Sequence, residues 1–505
     1  MNKIFLTLLV SLVLLGSSCS DFLTVNEVNP NSASKVPAKL LLPSALNNIA
    51  YTMNNPRRFE FVYLWHGLWS ISTGYTQPTA LTQYNLQNTS YQAAFNEMYT
   101  YGQNLTEIER ASSDPKESNY LAIAMILKAY IMHNLVDVWG DVPYSEAFST
   151  ETGILKPKYD KQKDIYEDLV KKLDAAIKLI QTAPIGSTEI PANSDIMYAG
   201  DMSKWAKFAN TLKLRMLVHQ SGMTGRDTYI KAAVATTASV GYLGAGESGL
   251  VNPGFLNSPG KMNPFYGTYY KADGTQQSDG VSYHMGGMDV INFMKDTNDP
   301  RLGHFFNATT ANPTQFDGNY LGQDASVHPP LPPTKTSYLG YKSGSEGYMI
   351  GTFDKSAPLL TDFESLFIQA EAAERGFITA SGKTLYNAAM TQSCIYNGLT
   401  SDDAATFLSS AKTMVNYDLA PNKINLILQQ KWVSLDGIAP VEIWTDYRRS
   451  GIPSNIHFSE DPNKLIDTPP IRLLYPQREI SVNNDNLVAV GPINAFTYKI
   501  FWQNR

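Results

Sequence analysis

The feature that most constrains this chain is the run from Asn119 to Val138, opened by Asp114-Pro115-Lys116-Glu117 and closed by Trp139-Gly140-Asp141-Val142-Pro143-Tyr144. Asp114 suits a helix N-cap, Pro115 the first helical position, and Glu117 the place three residues after the cap. Every residue from Leu121 to Leu127 is apolar, and Ala129 to Met132 continues the run after Lys128. A surface helix carries an apolar stripe, whereas a helix that is apolar nearly all round belongs in a core. Gly140 predicts a left-handed C-cap, and Pro143 prevents the helix from resuming. Membrane crossing is the competing reading. Lys128, His133, Asn134 and Asp137 argue against it, because they leave no clean apolar run of about 18 residues.

Helical periods recur on both sides of this run. Pro37 to Asn55 reads as a helix with Leu41, Leu46 and Ile49 inward, and Ser90 to Ser112 as another, antiparallel to the central one through its short connection. Ile165, Leu169, Leu173, Ala176 and Ile180 keep the period, and Asp201 caps a helix whose face carries Trp205, Phe208, Leu212 and Met216. Helices return after Pro358. Thr361 and Glu364 have capping-box spacing for a helix to Gly376, followed by one to Asn397-Gly398, one from Asp402 and one over Ile424 to Leu435. The stretch 241–356 is rich in Gly, Pro, Asn, Ser and Tyr and reads as an insertion of loops and short strands. The expected division is helical over 37–240 and 357–455, loop-rich over 241–356 and irregular over 456–505.

Catalysis is not indicated. The seven histidines are scattered, with no His-Glu-x-x-His pair, and neither Gly-x-Ser-x-Gly nor a phosphate-binding loop occurs. Gly244-Ala245-Gly246-Glu247-Ser248-Gly249 has the spacing of a dinucleotide fingerprint, but Pro253 and Gly254 forbid the long helix that must follow. Glu371 and Glu374 read as helix-surface ion-pair partners near Arg375. Lys213, Arg215, Asp446, Arg448 and Arg449 read as structural charge packing. The expectation is a protein that is not an enzyme and has no cofactor and no metal. With net charge −6 and no basic block, nucleic acid is not an expected partner. Cys394, among apolar helix neighbours, reads as a small buried hydrophobe.

Residues 1–18 have the form of a secretion signal: Lys3, an apolar stretch from Ile4 to Leu15 too short to span, then Gly16-Ser17-Ser18 before Cys19. This resembles a lipoprotein signal, which implies that Cys19 is acylated and heads a polar tether over 19–36. Cleavage elsewhere would instead give a soluble secreted protein. With Cys19 lipidated, no disulfide is possible, and the core alone must hold the chain.

Several blocks together resemble the SusD/RagB family. They are Ser20-Asp21-Phe22-Leu23, the segment Leu135 to Tyr144, Asn210 to Arg215, Asn298-Asp299-Pro300-Arg301, Glu371 to Arg375, Glu442 to Pro453, and Arg472 to Pro476 with Glu479 and Asn483. They stand in the family's order and run over nearly the whole chain. The resemblance implies a mainly α fold over 37–505, a right-handed superhelix of TPR-like helix pairs carrying a loop-rich insertion with short strands. It also implies a lipid-anchored outer-membrane protein facing the cell exterior, which binds nutrients, mostly glycans, for a SusC-like TonB-dependent transporter. A peptide-capturing member of the family, and a helical protein-binding scaffold or lid with little ligand contact, are the alternatives.

The chain contains 29 Tyr, 21 Phe and 7 Trp, a supply that suits stacking on sugar rings. Two aromatic tracts are broken by Gly or Pro and mixed with amides. One spans Trp69, Tyr75 and Tyr84; the other spans Asn263, Tyr266, Tyr269 and Tyr270. The expected ligand platform is an exposed face where these two tracts meet.

Overall fold

The computed structural model describes residues 36–309, 320–324, 330–332, 334–340 and 347–503. The signal segment, Cys19 and the tether lie outside the described residues. The first helices are α1 (Ala38–Asn54), α2 (Glu60–Trp65), α3 (Thr79–Thr82), α4 (Gln92–Ala111), α5 (Ser118–Trp139), α6 (Gln162–Thr182), α7 (Met202–His219) and α8 (Asp227–Ala235). The insertion carries α9 (Pro264–Tyr269), α10 (Met288–Thr297) and α11 (Leu302–Phe305). The remainder are α12 (Asp362–Glu374), α13 (Gly382–Tyr396), α14 (Ser401–Leu408), α15 (Lys423–Ser434), α16 (Pro440–Ser450), α17 (Gln477–Val482) and α18 (Asn484–Val490). Short strands are β1 (Trp69–Ile71), β2 (Val142–Pro143), β3 (Tyr159–Asp160), β4 (Gly249–Val251), β5 (His284–Gly286) and β6 (Ala357–Leu360).

The central helix behaves as its composition requires. In α5 only Ser118, Leu121, Met125 and Lys128 escape full burial. Lys128 reaches out to Glu109 and Thr106 of α4, both at 2.8 Å. With its leading turn it is the one helix among the described residues long and apolar enough to cross a membrane, and most of its surface is covered by protein instead. The other helices pack outward from it in a row: α1 on α4, α4 on α5, α5 on α6, α6 on α7, α7 on α12, and α12 on α13 and α15. This is the expected superhelix of TPR-like pairs.

The strands form three antiparallel pairs, β1 with β5, β2 with β3 and β4 with β6. The first and last tie the insertion to the helical part, since β1 and β6 lie outside 241–356. The insertion also holds the ten-residue α10, which its loop-like composition did not announce.

Buried charge joins the helices. Arg215 of α7 meets Glu364 of α12 at 2.8 Å, and His219 of α7 meets Glu442 of α16 at 2.9 Å. Lys431 of α15 contacts Asp446 of α16 at 2.9 Å and also pairs with Glu442. The expectation of a surface pair for Glu371 is corrected. Its carboxylate is buried between Arg375 at 2.8 Å and Arg449. Glu374 is turned away from this cluster and accepts the Tyr417 hydroxyl. The capping box at Thr361 is half made: its hydroxyl accepts the Glu364 N–H at 3.2 Å, while the Glu364 carboxylate points to Arg215.

The C-terminal segment is stitched to the end of α5. Leu473 N–H donates to the Val138 carbonyl at 3.0 Å and the Trp139 indole to the Leu474 carbonyl at 3.1 Å. Arg472 donates to the Trp139 carbonyl and Tyr475 to that of Asp141. Gly140, at φ 78°, makes this close approach possible; a Cβ there would stand 3.1 Å from Arg472 Nη1.

Candidate functional site

The two aromatic tracts do meet, but mostly inside the protein. Trp69 sits in β1 with no exposed surface, stacked on Tyr63 with ring centroids 3.9 Å apart and tilted against His284. Tyr269 is equally buried, its hydroxyl 2.8 Å from His284 Nδ1. Tyr270 is buried and stacks on half-buried Tyr266 at 5.1 Å. Tyr84 is buried too, and its hydroxyl accepts the Ser459 N–H at 2.8 Å. The expected exposure is therefore corrected for Trp69, Tyr84, Tyr269 and Tyr270. Strand pairing of β1 with β5 turns Trp69 inward, the C-terminal end of α9 does so for Tyr269 and Tyr270, and Tyr84 is held against Trp65 and Ser459; each ring removes a large apolar area from water.

Asn263 is buried for a different reason. Its Oδ1 accepts from Phe265 N–H at 2.9 Å and Tyr266 N–H at 3.1 Å, capping α9, and its Nδ2 donates to the Lys355 carbonyl at 2.7 Å. The amide is a structural cap at the base of a site.

Tyr75 remains at the surface. It is half buried, shares a 2.6 Å hydrogen bond with Ser282, and packs edge-on against Tyr283 with centroids 5.2 Å apart. The Arg57 guanidinium lies 4.0 Å from the Tyr283 ring centroid and 3.8 Å from the exposed Asp279 carboxylate. Behind this patch, Arg57 pairs with Glu60 at 3.1 Å and Glu60 approaches His284 at 3.4 Å. Burial opposes the charge on Glu60, but the approach of His284 and the pairing with Arg57 outweigh it and hold the carboxyl below its usual range. Burial pulls His284 down to about 4, so its ring is neutral at pH 7. The patch thus has a fixed, charged and hydrogen-bonded floor.

The same segment opens a cavity of about 510 Å³ against α1 and α9. Its walls include Tyr51, Met262, Asn263, Pro264, Gly267, Thr268, Lys271, Asp273 and Gln277. Tyr51 is 43% exposed on the outer side of α1, opposite the stripe that enters the core. Gln277 anchors the wall, its N–H donating to the Tyr269 carbonyl at 2.9 Å and its side chain to the Gly267 carbonyl at 3.2 Å. Asp273 accepts from the Thr275 N–H at 2.9 Å and hydroxyl at 2.6 Å, which holds its carboxyl below the usual range. One ring with an ammonium, a carboxylate, an amide and a hydroxyl suits a hydroxyl-rich ligand: the polar groups orient it and the ring takes an apolar face.

Sequence reading missed Tyr51, Arg57, Lys271, Asp273 and Gln277. A signal for Tyr51 was present, because it falls off the α1 stripe marked by Leu42, Leu46, Ile49 and Met53. Asp273-Gly274 marks a turn, but nothing local says that the turn borders a cavity. Cys394 is buried as expected, and burial pushes its thiol up to about 12, which makes it unreactive.

Comparison with known proteins completes the picture. A SusD-like family, described as starch-binding and associating with the outer membrane, matches residues 30–476. No curated protein matches the chain significantly in sequence. Among solved structures, a SusD homologue from Bacteroides fragilis superposes with TM-score 0.74 at 22% identity, covering 93% of this chain and 100% of its own. A SusD-like protein from Bacteroides thetaiotaomicron gives 0.71 at 23% identity, covering 90% and 95%. A chitin-binding SusD homologue from Flavobacterium johnsoniae gives 0.72 at 22% identity, covering 92% and 99%. These three share the helical fold of this chain. With the family match spanning residues 30–476 and the fold shared over 90–93% of the chain, the chain belongs to the SusD-like family.

Proposed function

We propose that this protein is a cell-surface glycan-binding lipoprotein that captures an oligosaccharide and hands it to a TonB-dependent transporter. The observation that carries the reading is the cavity walled by Tyr51, Thr268, Lys271, Asp273 and Gln277. The segment that walls it continues to the Tyr75–Tyr283 pair, so a chain of several sugars has both an open, recessed subsite and a surface ring to follow. Of the seven residues in the expected platform, Tyr75 and Tyr266 keep a partly exposed ring; Trp69, Asn263, Tyr269 and Tyr270 lie beneath, and Tyr84 packs elsewhere, against Trp65 and Ser459. Family membership is consistent with capture at the outer membrane, and binding without catalysis fits the lining, which offers orientation and stacking.

The direct test is calorimetry of the full chain against maltooligosaccharides, chitooligosaccharides and peptides. Tyr51→Ala and Gln277→Ala should each weaken glycan binding at least fivefold with melting nearly unchanged. Peptide binding without glycan binding would reassign the ligand class, and no effect of either variant would remove the cavity from the account. For the membrane anchor, Cys19→Ala should leave an unlipidated precursor in fractionation and lipid labelling. A variant that is still acylated and membrane-bound would contradict the assignment of Cys19.

A further inference from the structure

A second cavity, of about 180 Å³, lies between α16 and the segment 458–471. Its lining includes His66, Trp444, Tyr447, Arg448, Phe458 and Thr468. None of these belongs to the cavity at α9 or to the Tyr75–Tyr283 patch.

Arg448 is unlike the cations of the buried charge lattice. Arg215, Arg301, Lys431 and Arg449 each touch a carboxylate. Arg448 is just as buried, yet among the described residues no carboxylate lies within 4.0 Å of it. Its guanidinium donates to the Trp444 carbonyl at 3.1 Å, the Ile471 carbonyl at 2.9 Å and the Thr445 hydroxyl at 3.3 Å, and lies 3.8 Å from the Trp444 ring centroid. It also lies 5.0 Å from the Trp502 ring centroid, and these neutral contacts leave two of its five N–H groups without a hydrogen-bond acceptor. Asp137, whose charge reaches Arg448 through space, is occupied by the Tyr166 hydroxyl and the Trp502 indole. Arg472, another buried guanidinium, adds positive charge nearby. A buried cation left this way favours an anion that can enter.

His66 supplies the complementary group. Its Nδ1 lies 2.8 Å from the Val62 carbonyl, so Nδ1 carries the proton and Nε2 is a bare acceptor. Nε2 is buried with no protein partner. Burial draws the ring down to about 4, so it stays a neutral acceptor at pH 7. Trp444, Tyr447 and Phe458 provide aromatic walls, and the volume compares with the roughly 150 Å³ cavity that admits a single six-membered ring. Thr468, exposed, stands at the mouth.

From this arrangement we infer that the cavity is a second ligand site, selective for a single-ring hydroxy acid, with carboxylate toward Arg448, hydroxyl toward His66 Nε2, and ring between Trp444 and Phe458. Two kinds of ring carry that chemistry, a sugar acid and a hydroxyaryl acid. Both are tested by calorimetry on the full chain, glucuronate against glucose and 4-hydroxybenzoate against 4-hydroxybenzamide. The expected result is that at least one acid binds ten or more times better than its neutral counterpart, and the pair that responds identifies the ring. Arg448→Gln should abolish that preference. Because loss of Arg448 bears on folding as well, Thr468→Trp provides an independent arm: it closes the mouth from an exposed position, and should weaken binding of the acid at least tenfold with melting unchanged. Binding of oligosaccharide at the α9 cavity should be unaffected by Thr468→Trp, which separates this site from the proposed capture site. Equal binding of acid and neutral partner in both pairs, or acid binding indifferent to Thr468→Trp, would overturn the inference.

Discussion

Arg449 holds Glu371 with both arms of its guanidinium, Nη1 to Oε1 at 2.7 Å and Nη2 to Oε2 at 2.6 Å, entirely inside the protein. One residue comes from α16 and the other from α12, 78 positions apart. The parallel, two-pronged geometry is what a guanidinium and a carboxylate achieve and what Lys could not reproduce. Burial opposes the charge on Glu371, but Arg449 and Arg375 outweigh it and hold the carboxyl down to about 2.

Removing one partner leaves the other buried and unpaired. Arg449→Leu is therefore expected to cost about 3–5 kcal/mol of stability, and Glu371→Gln a smaller part of it, because the amide keeps the shape and one acceptor. Denaturant unfolding of both variants measures this. The sign of the pH dependence follows from the depressed pKa. The stabilisation is complete above the unfolded carboxyl value near 4.5 and is lost as pH falls toward 2. A Glu371→Gln protein that retains wild-type stability at pH 7 would show that the pair is dispensable.

Asp436 presents the opposite case. It is buried, no hydrogen bond of normal geometry reaches either carboxylate oxygen, and burial pushes its pKa well above the ordinary value, against weaker contributions from Trp69 and Gly437. A raised pKa means that the folded state keeps a proton the unfolded state gives up. The group's favourable contribution is present below its unfolded value near 3.8 and is lost as pH rises. Asp436→Asn should accordingly stabilise the protein at pH 7 by on the order of 1–3 kcal/mol, with the gain shrinking toward pH 4. Thermal melts of the two proteins at several pH values check it, and a pH-independent difference would contradict it.

The corrected positions of the rings separate two residues that look alike in sequence. Trp69→Ala removes a core indole stacked on Tyr63 and is expected to cost about 3–5 kcal/mol of stability. Tyr75→Ala removes a half-buried ring and is expected to cost about 1 kcal/mol or less, while weakening oligosaccharide binding severalfold. Melting and calorimetry on both variants decide between a core and a surface role for each.

Much of the fold was legible because it is written in local periods. The all-round apolar character of Leu121 to Leu127 placed α5 at the centre, and Asp201 capped α7 as expected, accepting from the N–H groups of Ser203 at 3.1 Å and Lys204 at 3.2 Å. The blocks that carried the family resemblance are largely the charge and backbone joints of the structure. Arg301 binds Asp299 and reaches Ser393 and Ser434; Arg449 binds Glu371; Arg472 binds the Trp139 carbonyl. Burying an arginine demands specific partners, which leaves a recognisable pattern in sequence. The site was less legible. A tract of aromatics interrupted by Gly and Pro can be exposed or tucked into a strand pair, and the choice depends on contacts such as Trp69 opposite Gly286, which are 217 residues apart and leave no local trace. Tyr51, Lys271 and Gln277 likewise become neighbours only after α1 and α9 have packed.

The central claim, that oligosaccharide is captured at the α9 cavity, is tested most directly by hydrogen–deuterium exchange on the full chain with and without a saturating oligosaccharide found to bind. The account predicts protection concentrated in residues 262–283 and around Tyr51, with α5 and the joint between Arg449 and Glu371 unchanged. Saturation that protects another surface, and leaves 262–283 exchanging as in the free protein, would contradict it.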